Sequence, residues 1–267
     1  MDLGYKGKSV IVTGGSSNIN RANVLAFARE GANVVIADID DKQAPKVAGE
    51  ASVVSGGGKT IFVKTDVTSV ESVNAMVKET LKEFGQIDVL VNGVGWRDSP
   101  WGLFMEQKRE TWEKMVNLNL WSVFNCTRAV LEQMIPRKYG KVCNIGSEAG
   151  RIGEFRQVVY SACKGGVISF TKAVAKEVGR YSINVNCVCP AGVIPEKKEH
   201  VSELSMTQGV TQDTLSEDMK KMQLKLYPIG RVAVPQDVAN TVVYVCSDAA
   251  SFIHGQTISV NGGYSTL

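Results

Sequence analysis

Short apolar runs alternate along the chain with longer stretches whose apolar positions recur at helical spacing. Ser9–Thr13, Asn33–Asp38, Lys59–Lys64, Val89–Asn92, Gly140–Ile145, Ile183–Val188 and Thr257–Val260 read as strands. The stretches near 19–30, 41–55, 69–84, 106–136, 159–179 and 235–247 read as helices. Strand and helix in repeated alternation predict a parallel sheet flanked by helices on both faces. The chain shows no repeat of solenoid type and no Pro/Ser-rich linker, so residues 1–267 read as a single domain. The segment near 191–227 stands apart. It is polar, broken by Pro195 and Gly209, and holds only a short helical piece near 214–226. A loop of that length in a compact domain reads as a lid or binding loop.

Composition excludes several classes. Hydrophobic residues are 44% and charged residues 21%, which is ordinary for a globular chain. Net charge is +3, from 30 Lys+Arg against 27 Asp+Glu, without blocks of one sign, so no nucleic-acid groove is implied. No apolar run approaches the roughly 18–20 residues of a membrane span, and Met1–Lys8 lacks a secretory apolar region. The expected location is cytoplasmic. The six cysteines form no C-x-x-C pair and there are only two histidines, so no metal site is expected. The cysteines read as buried reduced thiols.

The first strand ends in Gly14-Gly15-Ser16-Ser17-Asn18-Ile19-Asn20 and runs into a helix. A strand, a tight polar turn and a helix N-terminus together form an anion site, with backbone N–H groups and the positive helix end facing a phosphate. Asp38 closes the second strand, 24 residues after Gly14. A carboxylate there can accept both ribose hydroxyls of an adenosine and repels a 2′-phosphate. These features predict a dinucleotide site for NAD.

Tyr160-Ser161-Ala162-Cys163-Lys164 puts a phenol and an ammonium on one face of a helix. A nearby cation favours the phenolate of a group that otherwise ionises near ~10. Ser147 lies thirteen residues earlier, just past the end of a strand, and Asn119 lies within Asn117-Leu118-Asn119-Leu120.

These residues resemble those of the classical short-chain dehydrogenases/reductases over about residues 7–263. The family's turn is T-G-x-x-x-G-x-G. Here Thr13 and Gly14 are kept, and Asn18 and Asn20 replace the second and third glycines. Asn tolerates left-handed backbone, and its amide can donate to phosphate. Asp66-Val67 ends the third strand, where the family's Asp meets adenine. Asn92-Gly93-Val94-Gly95 stands for N-N-A-G, and Pro190-Ala191-Gly192-Val193 for the segment that meets the carboxamide. Pro195 replaces a common Thr there. The resemblance implies a single-domain, doubly wound α/β fold of Rossmann type. It assigns Gly14, Ser16, Ser17, Asn18, Ile19, Asp38, Asp66, Val67, Asn92, Gly93, Tyr160, Lys164, Pro190 and Val193 to the cofactor. It makes Tyr160 the general base, Ser147 the group on the substrate oxygen, Lys164 the residue that lowers the Tyr160 pKa and binds ribose, and Asn119 the holder of a relay water.

The implied activity is interconversion of a secondary alcohol and a ketone. Gly95-Trp96 and Tyr160-Ser-Ala-Cys-Lys-Gly-Gly166 resemble the hydroxyacyl-CoA dehydrogenases of alicyclic and aromatic catabolism, so a cyclic or aryl hydroxyacyl-CoA or hydroxy acid is expected. Trp96, Trp101 and Phe155 would form aromatic walls, with Arg97, Arg151, Arg156, Lys197 and Lys198 as a cationic rim. Solvated surface charge is the alternative reading of those cations. His200 and His254 read as structural or solvent-exposed. The face around Val167, Phe170, Val174 and the helix 119–134 reads as a subunit interface or as core, and the family suggests a homotetramer. One rival reading is an NADPH-dependent 3-oxoacyl-type ketoreductase, which Asp38 and the lack of a basic residue at Ser17 oppose. Another is a non-catalytic subunit partnering an active paralogue, suggested by Asn18 and Asn20 and opposed by the intact tetrad.

Overall fold

The computed structural model describes residues 2–98, 102–205 and 209–266. The strands are β1 (Ser9–Thr13), β2 (Asn33–Asp38), β3 (Thr60–Lys64), β4 (Val89–Asn92), β5 (Gly140–Ile145), β6 (Ile183–Pro190) and β7 (Thr257–Val260). They form one parallel sheet in the order β3-β2-β1-β4-β5-β6-β7. The helices are α1 (Asn18–Arg29), α2 (Gln43–Val54), α3 (Val70–Phe84), α4 (Arg109–Val116), α5 (Ser122–Arg137), α6 (Ala149–Ile152), α7 (Val158–Val178), α8 (Glu217–Leu226) and α9 (Pro235–Val245). This is the doubly wound α/β architecture that the alternation of elements predicts. Among the described residues, no helix is long and apolar enough to cross a membrane.

Side chains alternate across a strand, so a sheet buried on both faces needs apolar residues at successive positions. Val10, Val12, Val34, Ile36, Val89 and Val91 pack with α1, α2 and α9. Ile11, Val35, Ala37 and Leu90 pack on the opposite face with α3, α5 and α7. Val167 is fully buried within the single chain, against Val123, Cys187 and Cys189. Its apolar character is therefore accounted for by the core, whereas Trp121 stays half-exposed, edge-on to Phe124, whose ring in turn meets Phe170. All six cysteines are buried and unpaired as disulfides.

The expected helix 106–136 is not one helix. A π-helical turn, Asn117–Trp121, separates α4 from α5. The Asn119 side chain donates to Met115 O, 2.8 Å away, one helical turn back. That carbonyl is the ordinary partner of the backbone N–H at 119, so the side chain displaces the local ladder. Periodicity in the sequence carries no sign of such a substitution.

A buried polar network joins the sheet to the helices behind it. Asn92 Nδ2 donates to Thr127 Oγ1 (2.9 Å) and to Asn144 Oδ1 (2.8 Å). Asn144 Nδ2 donates to Thr171 Oγ1 at 2.9 Å. Both Asn92 donors are thus consumed by the protein. The Asn92 side chain thereby ties β4 to α5 and β5.

Asn144 is fully buried, and Asn144→Ala leaves an Asn92 donor unpaired in the core. Such a loss costs about 1–3 kcal/mol, and each kcal/mol lowers the melting temperature by roughly 2–4 °C in a chain of this size. Thermal denaturation beside Val53→Ala, at an 86% exposed position, is the check. Equal melting temperatures for the two variants would show that the network contributes nothing.

Candidate active site

Strand order reverses between β1 and β4, so the connections leaving these neighbours diverge to opposite faces and open a crevice at their carboxyl ends. The two strand ends are joined there by polar bonds. Thr13 Oγ1 donates to Val91 O at 3.3 Å and accepts from Gly93 N at 2.9 Å. Gly14 turns the chain at φ 68° and its N–H reaches Ala37 O at 2.8 Å. Asn18 stands at φ 48°, the left-handed conformation a glycine would take there. Asn20 fills the space of the family's third glycine and donates to Gly93 O at 2.8 Å. Ser17 flanks α1 but its hydroxyl does not cap the helix, and no acidic residue lies in the first turn. Asp38 ends β2 at 9% exposure, accepting from Ser16 N and Asp40 N, both at 3.0 Å. Asp66 is exposed and binds Thr68, while Val67 is buried with its carbonyl bonded to Asn125.

The tetrad residues come from the same end of the sheet. Lys164 is 3% exposed, and its Nζ donates to Ile145 O at 2.8 Å and lies 5.8 Å from the centre of the Tyr160 ring. Ser147 follows Ile145 and Gly146, and its Oγ accepts from Ala149 N at 3.1 Å. The short α6 carrying that turn lies directly on α7. A Cβ at Gly150 would fall 2.5 Å from the Lys164 backbone carbonyl carbon, so only glycine permits the approach. Gly95 is approached closely from the other side. A Cβ there would sit 3.1 Å from Asn119 Oδ1 and 3.4 Å from Lys164 Nζ. Asn119 grips the Trp96 backbone at both groups, accepting from its N (3.1 Å) and donating to its O (2.6 Å). With Met115 O, both Asn119 N–H donors are committed. Its side chain fixes the loop after β4.

A small pocket opens at Tyr160, lined by Arg97, Met115, Arg156 and Gln157 among others. Burial depresses the Arg97 guanidinium, and the charges of Tyr160 and Glu154 act in the opposite sense. Arg156 stands at φ 63°, a conformation costly for a non-glycine residue. The third expected rim cation differs. Arg151 is bound to Glu148 and Ser259 and does not line this pocket. Trp96 carries the Lys114 ammonium 4.1 Å from its ring centre, and Phe155 is 77% exposed. Trp101 lies outside the described residues. Pro190 and Val193 sit where β6 ends, Val193 bridging to Ala233. Lys197 and Lys198 are exposed on the following loop, away from the Tyr160 pocket lining. His254 bonds Val185 N and Ala175 O, which makes it structural.

Glu148 escapes the sequence reading. It is 1% exposed, and accepts from the hydroxyls of Ser259 and Ser265 and from Arg151. Burial pushes its carboxyl up, and these bonds more than offset that, leaving it below the usual range. The available signal was a lone acid directly after Ser147. Tyr227 also escapes it. Its hydroxyl accepts from Gly192 N at 3.1 Å and its ring stacks on Tyr264, whose hydroxyl donates to Glu154 at 2.6 Å.

The crevice fits a dinucleotide on its own chemistry. An open helix N-terminus faces it, a buried carboxylate closes β2, and Gly95 keeps space beside a buried ammonium. Among the described residues no group of His, Cys, Asp and Glu is placed to hold a metal ion.

Comparison with known proteins agrees with this architecture. A family model described as enoyl-(acyl carrier protein) reductase matches residues 14–265. The chain is 38% identical over 257 residues to a 3-oxoacyl-(acyl carrier protein) reductase of Chlamydia muridarum, covering 96% of each. It is 36% identical over 257 residues to that of Staphylococcus aureus, covering 96% of this chain and 97% of the relative. The Synechocystis reductase of the same name is 37% identical over 255 residues, 95% of each. These names are those of 3-oxoacyl reductases and not specifically of the hydroxyacyl-CoA dehydrogenases of alicyclic and aromatic catabolism. With near full-length matches of this strength over a doubly wound sheet, the chain belongs to the short-chain dehydrogenase/reductase family of oxidoreductases.

Proposed function

We propose that the protein is an NAD-dependent oxidoreductase that interconverts a secondary alcohol and a ketone on an acyl thioester or acid. The observation that carries this reading is the pocket at Tyr160, where a phenol backed by the buried Lys164 shares its walls with Arg97 and Arg156. NAD held in the crevice supplies the hydride acceptor. Tyr160 Oη takes the alcohol proton in oxidation and returns it to the ketone oxygen in reduction. The Lys164 ammonium, fixed on Ile145 O, stabilises the phenolate that results. Ser147 Oγ, with Ala149 N donating to it, keeps its own proton for the substrate oxygen. Asn119 holds Trp96 and so keeps the Gly95 turn from filling the nicotinamide end.

The names of the relatives favour a 3-oxoacyl thioester as the ketone. The two pocket arginines suit the phosphates or carboxylate such a molecule carries, since a guanidinium fork binds these oxygens in pairs. An acyl body bearing a ring fits the exposed Phe155 at the same loop. Asp38 favours NAD over NADP, because a carboxylate at the ribose repels a 2′-phosphate.

Three measurements test the reading. Calorimetry is expected to give NAD at least about tenfold tighter binding than NADP. NADP bound equally well sinks the cofactor assignment, and no binding of either at millimolar concentration favours a non-catalytic subunit. Tyr160→Phe keeps the ring and removes the proton, so kcat is expected to fall about 10² to 10⁴-fold with NAD affinity retained. A variant that keeps most of its activity removes Tyr160 from the role of base. Lastly, Arg97→Ala and Arg156→Ala should each raise KM for a 3-oxoacyl-CoA more than for an uncharged ketone, and rising salt should narrow the gap in the unmodified protein. Identical effects on both substrates would return these arginines to a purely structural role.

A further inference from the structure

At the end of the crevice away from Tyr160, the loop that follows β6 folds back over the nucleotide turn. Within residues 196–205, Ser202 N donates to Ser17 Oγ at 3.0 Å, and Ser202 Oγ donates to the Asp40 carboxylate. Gln43 Nε2 reaches Glu199 O at 2.7 Å, and Leu204 N closes onto Ser202 Oγ at 3.0 Å. Ser202 is 5% and Asp40 8% exposed, so this clasp is buried although it joins a loop to the sheet. Asp40 is itself fixed. Its other oxygen accepts from Lys42 N and Gln43 N, and its own N–H donates to Asp38 Oδ1. Burial pushes the Asp40 carboxyl up, but the bonds from Ser202, Gln43 and Lys42 together hold it below its ordinary range.

The clasp therefore converges on Ser17 and on the carboxylates that close β2. Both the N–H and the O–H of Ser202 are spent on protein partners. Ser202 itself has no donor left for an anion at this place, and moving it aside breaks its hydrogen bonds to Ser17 and Asp40. A neutral ribose hydroxyl needs only an acceptor, which Asp38 provides. A phosphate on that hydroxyl meets two carboxylates and a closed wall.

We infer that the loop around Ser202, clasped to Ser17 and Asp40, is a second cofactor-selectivity element that walls off the 2′ position of the adenosine ribose. This rests on the proposed reading of Asp38 as the ribose carboxylate. It differs from that reading in its consequence, because removing the Asp38 charge leaves the wall standing.

The test is calorimetric binding of NAD and NADP to the full chain, unmodified and as Asp38→Ala, Asp38→Ala with Ser202→Ala, and Asp38→Ala with Ser202→Thr. Asp38→Ala alone is expected to improve NADP binding only slightly. Adding Ser202→Ala should improve it by roughly a further tenfold, and Ser202→Thr, which keeps the hydroxyl, should not. Trypsin cleavage after Lys197 and Lys198 reads the clasp independently of any nucleotide and should quicken in Ser202→Ala at unchanged melting temperature. If Asp38→Ala alone gives the whole gain, or cleavage is unaltered in Ser202→Ala, the inference is overturned while NAD binding by the unmodified protein leaves the proposed function intact. A protein that binds neither nucleotide overturns both.

Discussion

Two neighbouring strands whose connections leave in opposite directions cannot have their carboxyl ends covered by the same helix. That gap between β1 and β4 is the constraint on which the site depends. It exposes backbone groups at the ends of both strands, and they must be satisfied without filling the crevice. Thr13 does this with one hydroxyl, accepting from Gly93 N and donating to Val91 O. Asn20 adds its amide to Gly93 O from α1. The strand ends are thus locked to each other and to the first helix by side chains that stay below the opening. The turn at Gly14–Ser17, the Gly95 turn and the buried Lys164 are then arranged around a gap of fixed width.

Much of this was legible because the decisive signals are local. All seven strands were found, six of them within a residue of their observed ends and β6 two residues longer than read. A strand buried on both faces is an apolar run, and the helices between are too long to be confused with it. The Tyr160–Lys164 pair was legible because four residues make nearly one helical turn. What the sequence hid is non-local. Nothing in 106–136 tells that Asn119 reaches across to Trp96 and back to Met115, and that pair of bonds breaks the helix into three parts. The same holds for the Asn92 side chain: its position at a strand end is visible, but its partners Thr127 and Asn144 are 35 and 52 residues away.

The two asparagines in the nucleotide turn show how a motif can be altered with its geometry kept. Asn18 accepts the left-handed backbone that glycine would have adopted, at a modest strain that Asn bears better than most residues. Asn20 is the larger change, since it puts volume where helix and strand are closest. The added volume is polar and is consumed at once, donating to Gly93 O and accepting from Asn23 Nδ2. A side chain of the same size without an amide would bury the Gly93 carbonyl unpaired. The departure from glycine therefore costs the turn no hydrogen bond, and it stiffens the joint between α1 and β4.

Charge is sorted in this cleft by what each cation can find inside the protein. Arg151 and Arg156 lie between Ser147 and Tyr160 in the sequence and Arg97 follows β4, yet they divide. Arg151 meets the buried Glu148, with Ser259 and Ser265 completing the carboxylate's shell, so its charge is neutralised within the fold. An ionised carboxylate at 1% exposure would otherwise be costly, and removing either member would leave the other buried and uncompensated. Arg97 and Arg156 instead line the pocket that Tyr160 enters, with Glu154 facing Arg97 and itself shared with Tyr264. Asp98 lines the same pocket, so two cations meet two acids there. At the other end of the crevice the balance differs, because Asp38 and Asp40 lie together and their hydrogen-bond donors are neutral backbone amides and the Ser202 hydroxyl. The crevice thus has one end where carboxylates meet neutral donors and another where arginines and acids are mixed.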